Sequence, residues 1–244
     1  MALILVVGAT SAMARASAMA WAQQGHSLLL AGRDGEELQR LARDIGVRFR
    51  VQARVVAVDL DETEAREDWF DELEFRHGTI DGLLCAAGWM PDSETMRHGE
   101  PALQVLQRNL TGPVALINAY ADLCERRRSG FIVGISSVAG DRGRQSNYLY
   151  GAAKGGFTIY LAGLRNRLDK VGVPVLTVKP GFVDTRMTFG LPGLFLVADP
   201  AWVGERIVAA QAAGRNEVYL PGFWRLIMLI IRHVPEFLFK RLSL

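Results

Sequence analysis

Tyr150-Gly151-Ala152-Ala153-Lys154 puts a phenol and an ammonium four residues apart, on one face of the helix that this segment is predicted to form. Thirteen residues before Tyr150, Ser137 follows the apolar run Phe131 to Ser136, which places a hydroxyl at the end of a strand. Asn109 adds an amide within a long upstream helical pattern. These residue types suit proton transfer to a developing alkoxide. A free tyrosine titrates near ~10 and is poorly matched to neutral pH. A neighbouring ammonium favours the tyrosinate and lowers that value. Two decoys lie close by. Tyr148 has Ala152 rather than a lysine four residues on, and Ser136 is one residue out of step, facing the other way where the pleat continues.

The elements that must hold these groups read as short Val/Ile/Leu-rich runs alternating with helical patterns. Strands are expected at Leu3 to Val7, Ser27 to Ala31, Val51 to Val58, Gly82 to Ala86, Phe131 to Ser136, Val175 to Lys179 and Glu217 to Leu220. Nearly continuous apolar strands separated by helices predict an α/β fold, a single doubly wound domain whose parallel sheet is covered on both faces. In open sheets of this kind ligands bind at the carboxyl ends of the strands, where Ser137 falls. Helices are expected at Ala12 to Gln24, ending at Gly25, and at Glu36 to Asp44, ending at Gly46. The longest are expected at Pro101 to Arg127 and Tyr148 to Val171. One domain, residues 1–222, is expected to continue into a helical tail, residues 223–244.

The chain has 244 residues, half of them hydrophobic and 22% charged, ample for a core and unlike a disordered chain. The formal charge of +2 argues against a nucleic-acid partner. Cys85 and Cys124 lack metal or disulfide spacing, so no metal is expected. The apolar start lacks a basic leader and stops at Gly8, as a buried first strand does. No stretch reaches the roughly 18 apolar residues of a membrane span, and a cytoplasmic location is expected. The five basic and two acidic residues of 215–244 give that segment an excess of +3, leaving the remainder at −1.

The first strand runs into Gly8-Ala9-Thr10-Ser11-Ala12-Met13-Ala14, where backbone N–H groups and a helix N-terminus would meet a dinucleotide pyrophosphate. This turn resembles the T-G-x-x-x-G-x-G turn of the short-chain dehydrogenase/reductase family, although Val7, Ala12 and Ala14 replace the threonine and two glycines. Alanine at 12 and 14 is tolerable where the residue keeps a helical φ. Cys85-Ala86-Ala87-Gly88 stands where that family has Asn-Asn-Ala-Gly. The Ser137, Tyr150, Lys154 spacing and Pro180-Gly181-Phe182-Val183-Asp184-Thr185 match its active-site and P-G-x-V-x-T patterns. Together these matches cover residues 2 to about 221.

The resemblance implies a hydride-transferring enzyme. Tyr150 would be the general acid in reduction, Lys154 would tune it and hold the nicotinamide ribose, Ser137 would hold the carbonyl oxygen, and Asn109 would anchor a water. Gly8, Thr10, Ser11 and Met13 would meet the phosphates, Asp59 and Leu60 the adenine, and Ala87 and Gly88 the middle of the cofactor. Pro180, Gly181, Val183 and Thr185 would meet the carboxamide. Arg33 follows the second strand, whose end lacks a carboxylate at Ala31. A guanidinium there suits a 2′-phosphate, so NADP(H) is preferred over NAD(H). A homo-oligomer is also implied. The tail, with Pro221-Gly222-Phe223-Trp224-Arg225 and Arg232-His233-Val234-Pro235, resembles a branch of the family that reduces a lipid-linked 2-keto sugar in partnership with a flavin oxidase.

The apolar and basic residues of 223–244 suit peripheral contact with the inner face of a membrane; helices packed on the core or at a subunit interface suit them equally. Loop 188 to 198, with Phe189, Leu191, Leu194, Phe195 and Leu196, occupies the place of a substrate lid. Two other functions compete: a soluble reductase of simple ketones or 3-oxoacyl thioesters, and a dinucleotide-binding regulatory or scaffold protein without catalysis.

Overall fold

Alternate side chains of β1 (Leu3–Val7) enter two different cores. Leu5 and Val7 join one and Ile4 and Val6 the other, as the period of two requires of a strand covered on both faces. The computed structural model describes residues 1–62, 66–92, 94–97, 99–190 and 194–242. Among them, seven strands form one parallel sheet in the order β3-β2-β1-β4-β5-β6-β7, with β2 at Ser27–Gly32, β3 at Ala53–Ala57 and β4 at Gly82–Cys85. The remaining strands are β5 (Phe131–Ile135), β6 (Val175–Pro180) and β7 (Glu217–Leu220). The order reverses between β1 and β4, so a crevice opens beyond Val7, Ala31 and Cys85, which stand in register.

The covering helices are α1 (Ala12–Gln23), α2 (Gly35–Phe49), α3 (Arg66–His77), α4 (Gly99–Leu106), α5 (Gly112–Arg127), α6 (Tyr148–Asp169) and α7 (Pro200–Ala212). Gly46 does not stop α2, contrary to expectation. The buried stripe Leu38, Leu41, Ala42, Ile45 carries the helix past it, outweighing the ~1 kcal/mol that an interior glycine costs, and the chain turns only at Arg50, φ 57°. Strand three is correspondingly shorter than Val51 to Val58, beginning at Ala53. The long helix expected from Pro101 to Arg127 is interrupted by a π turn at Gln107–Thr111. Such turns concentrate at functional sites, and this one carries Asn109.

The tail folds as α8 (Trp224–His233) and α9 (Glu236–Phe239). Trp224 and Met228 pack against Val138, the neighbour of Ser137. Arg142 fastens the far end of α8. Its Nη1 donates to Ile231 O and Val234 O, both at 2.6 Å, and its Nη2 to Glu236 Oε2 at 2.9 Å, while the guanidinium stacks 3.7 Å from the Phe239 ring. A cation on the last carbonyls of a helix also complements its dipole.

Candidate active site

The crevice is a cleft of about 610 Å³ lined from the ends of β1 to β4. Gly8 begins it with φ +73°, and a Cβ there would stand 3.0 Å from Ala87 N and 3.1 Å from Ala86 C, so only glycine fits between the strand ends. Ser11 caps α1, its Oγ accepting from Ala14 N–H at 3.4 Å. Ala12 and Ala14 both lie inside α1, where a methyl group brings no backbone strain. The helix N-terminus opens on the cleft beside Thr10, Ser11 and Met13. Asp59, Leu60, Ala87 and Gly88 line it as well.

Charged side chains rim this cleft. Arg33 pairs with Asp61 at 3.7 Å, and Arg108 holds the same carboxylate at 2.8 Å while its guanidinium lies 4.9 Å from the Trp89 ring. Two further lining arginines share one carboxylate: Glu37 accepts from Arg15 at 2.6 Å and from Arg186 at 3.2 Å. Asp59 accepts from Asp61 N–H at 3.0 Å, which fixes that loop. Of these residues the sequence reading names Arg33 and Asp59, and it does not name Arg15, Glu37, Asp61, Trp89, Arg108 or Arg186. Arg15 alone had a local signal, being the residue after the phosphate turn.

At the inner end, α6 places Tyr150 and Lys154 one turn apart, both buried. The Lys154 ammonium lies 5.8 Å from the Tyr150 ring centroid and donates to Ile135 O at 3.1 Å and Ala87 O at 3.4 Å. Ser137 stands beside the Tyr150 phenol, and its Oγ accepts from Ala139 N–H at 3.1 Å. Asn109 is fully buried. Its Nδ2 donates to Trp89 O at 2.6 Å and Val105 O at 2.8 Å, and its Oδ1 accepts from Trp89 N–H at 3.1 Å. Both amide protons are therefore engaged, and a water bound to this side chain has to donate to Oδ1.

Burial pushes the Tyr150 phenol up to about 12, against a smaller lowering from the Ser137 hydrogen bond. Burial brings the Lys154 ammonium down to about 8. The Cys85 thiol, buried beside them, is pushed up to about 11 and stays protonated. Trp89, Met90, Met96, Leu149 and Met187 pack around Tyr150 as an apolar wall.

Ser136 Oγ donates to Lys154 O at 2.9 Å and sits 2.7 Å from Thr158 Oγ1, so its role is to tie β5 to α6. Tyr148 is exposed. Pro180 ends β6, and Gly181 lies against the Trp224 indole. Val183 bridges to Ala198, closing the base of loop 188–198. Thr185 lines the cleft and bonds Thr188 Oγ1 through its N–H at 3.1 Å. Asn109, Ser137, Tyr150, Lys154, Pro180, Gly181 and Val183 stand outside the cleft lining, and Lys154 Nζ reaches it at Ala87 O. Leu191 of the lid lies outside the described residues, while Phe195 packs on Phe182 and Trp224.

Residues 2–191 match the sequence profile of the short chain dehydrogenase family. An uncharacterized oxidoreductase of Streptomyces coelicolor is 30% identical over 244 residues, covering 98% of this chain and 95% of its own. An uncharacterized oxidoreductase of Mycobacterium tuberculosis is 28% identical over 219 residues, 89% of this chain and 88% of that one. The solved short-chain dehydrogenase from Sphingobium yanoikuyae, in complex with NADPH, superposes with a TM-score of 0.83 at 22% identity, covering 97% of each chain. With nearly four-fifths of its length matched by that profile, the chain belongs to the short-chain dehydrogenase family and with it to the NAD(P)-dependent oxidoreductases.

Proposed function

We propose that the protein is an NADPH-dependent ketoreductase whose substrate is a lipid-linked 2-keto sugar. The observation that carries the reductase is the assembly of Ser137, Tyr150 and Lys154 at the inner end of a cleft that begins at a helix N-terminus. The cleft suits a dinucleotide. A Cβ on Gly88 would stand 3.0 Å from Asn109 Oδ1 and 3.4 Å from Lys154 Nζ, so a bare Cα lets this part of the cleft lining pack directly on Asn109 and the ammonium. Gly8, Thr10, Ser11 and Met13 would hold the phosphates, Asp59 and Leu60 the adenine, and Arg33 the 2′-phosphate. Ala87, Gly88, Pro180, Gly181, Val183 and Thr185 would enclose the nicotinamide. NAD(H) lacks the group that Arg33 is placed to bind. When bound, NADPH supplies the hydride.

The chain's own residues handle the proton. Ser137 donates to the substrate carbonyl oxygen, and Tyr150 delivers a proton to that oxygen as the carbon is reduced, leaving an alcohol. Lys154 holds a positive charge beside the phenol, which favours tyrosinate once the proton has left. Asn109 fixes the Trp89 backbone and presents Oδ1 to a water that returns the proton.

The substrate class is supported by the apolar wall around Tyr150, the greasy lid and the tail sequence, which resembles that of the reductase of decaprenylphosphoryl 2-keto-ribose. That resemblance also carries a flavin oxidase partner that would supply the ketone, and self-association through α5 and α6. A lipid-linked substrate has to be met at a membrane face, so peripheral contact through residues 223–244 belongs to this reading. The test is NADPH oxidation by purified protein with a polyprenylphosphoryl 2-keto-pentose in detergent, beside simple ketones and a 3-oxoacyl thioester. Turnover of the lipid-linked sugar is expected. Turnover of soluble ketones alone would keep the reductase and remove the lipid, and cofactor binding without any turnover would favour a regulatory dinucleotide-binding role.

A further inference from the structure

Two opposite sides of α8 are apolar. Trp224 and Met228 are buried on Val138, whereas Leu226, Leu229 and Ile230 stand 62%, 53% and 61% exposed. These three recur at helical spacing and form one outward stripe. Phe223, one residue before α8, and Phe237 in α9 are exposed as well. Phe195, which leads into exposed Leu196 and Val197, packs 5.6 Å from the Trp224 ring, and exposed Phe223 lies 5.9 Å from the same ring, so the loop meets this end of α8. Single exposed leucines are ordinary, but contiguous apolar surface of this kind marks a binding face.

The charges around it select the partner. Arg225 and Arg232 are seven residues apart, hence on one flank of α8, and both are exposed, as are Lys240 and Arg241 after α9. The acidic residue between 221 and 242 is Glu236, already paired with Arg142 at 2.9 Å. A second copy of this face would therefore bring like charge against like charge. No described helix is long and apolar enough to cross a membrane. The ten residues of α8 span only ~15 Å, so it would lie in the plane of a bilayer.

We propose that the outer face of α8, with exposed Phe195, Leu196 and Val197 near its first turn, docks the protein on an anionic lipid surface. The stripe enters the acyl boundary, and Arg225, Arg232, Lys240 and Arg241 meet the headgroup phosphates. This rests on the peripheral-contact part of the proposed function, gives it a surface and a lipid charge, and is independent of which ketone is reduced.

The experiment is flotation of the full chain with vesicles of phosphatidylcholine alone or of phosphatidylcholine with phosphatidylglycerol. Flotation is expected with the anionic vesicles and should weaken with salt. Arg225→Gln with Arg232→Gln should lower the partition coefficient about 25-fold, or about fivefold per charge. Leu226→Ser with Ile230→Ser, which spares the inner face, should abolish flotation while leaving NADPH oxidation with a soluble ketone unchanged. No flotation of the wild type, or equal flotation on neutral vesicles, would overturn the proposal. So would sedimentation equilibrium showing that the Leu226/Ile230 variant dissociates an oligomer, since the face would then belong to a second copy. Flotation without turnover of the lipid-linked sugar would remove that substrate and leave the docking face standing.

Discussion

At the outer end of the cleft, charges meet as partly exposed pairs: Arg33 and Arg108 on Asp61, Arg15 and Arg186 on Glu37. At the other end a single ammonium, Lys154, is 3% exposed and held by two backbone carbonyls. The difference separates two ways of using charge. Exposed pairs contribute little to stability and exchange partners readily, so the outer arginines can leave their carboxylates for the phosphates of a cofactor. A buried cation held only by dipoles is disfavoured in the resting fold, and such strained groups gather where chemistry is done.

Lys154→Met breaks this contrast most severely. Turnover should fall on the order of 10²- to 10⁴-fold, the range of acid–base assistance, while the fold becomes more stable. The sign follows from the pKa lowered to about 8. The unfolded chain binds this proton more tightly, so below that value protonation favours unfolding, and the stability deficit is recovered as pH rises from about 8 toward the unfolded value of ~10.4. At pH 7 the gain should be up to about 3 kcal/mol, read by thermal or urea denaturation; a loss of stability would show that the ammonium is a structural tie. In the wild type, kcat/KM for reduction should decline as pH rises through about 8. Ser137→Ala should cost on the order of 10²-fold in kcat, as loss of one donor to the reacting oxygen does, with cofactor affinity unchanged by fluorescence titration. At the outer end, Arg33→Ala should raise KM for NADPH over that for NADH about tenfold, the scale of one hydrogen bond to a charged group. Equal changes for both cofactors would make Arg33 merely a partner of Asp61. Glu37→Gln should have the smallest effect, a stability change within about 1 kcal/mol and a similar shift in KM for both cofactors.

The inner end was legible in the sequence because its geometry is local. A four-residue spacing on α6 and one strand end suffice to bring Tyr150, Lys154 and Ser137 together, and alternating apolar runs suffice for the sheet. The outer end was not, because its partners meet from afar: Arg186 reaches Glu37 across 149 residues and Arg108 reaches Asp61 across 47. No periodicity records such pairs. Gly46 misled for a related reason, since packing of Leu38, Leu41 and Ile45 decides the helix and a local breaker does not. The π turn at Asn109 was hidden too, because its sequence reads as continuous helix. The tail joins both cases. Its inner face answers to Val138, which the sequence does not indicate, while its outer stripe and basic flank are visible in the residue order.

Tyr150→Phe tests the division of labour most directly. It keeps the ring and its packing and removes one oxygen, and it should be assayed for NADPH binding and NADPH oxidation on the same preparation. The expected result is NADPH affinity within about twofold of wild type with turnover reduced at least on the order of 10²-fold. Retained turnover would contradict the assignment of the proton to Tyr150, and with it the claim that the buried end of the cleft is where the chemistry is done.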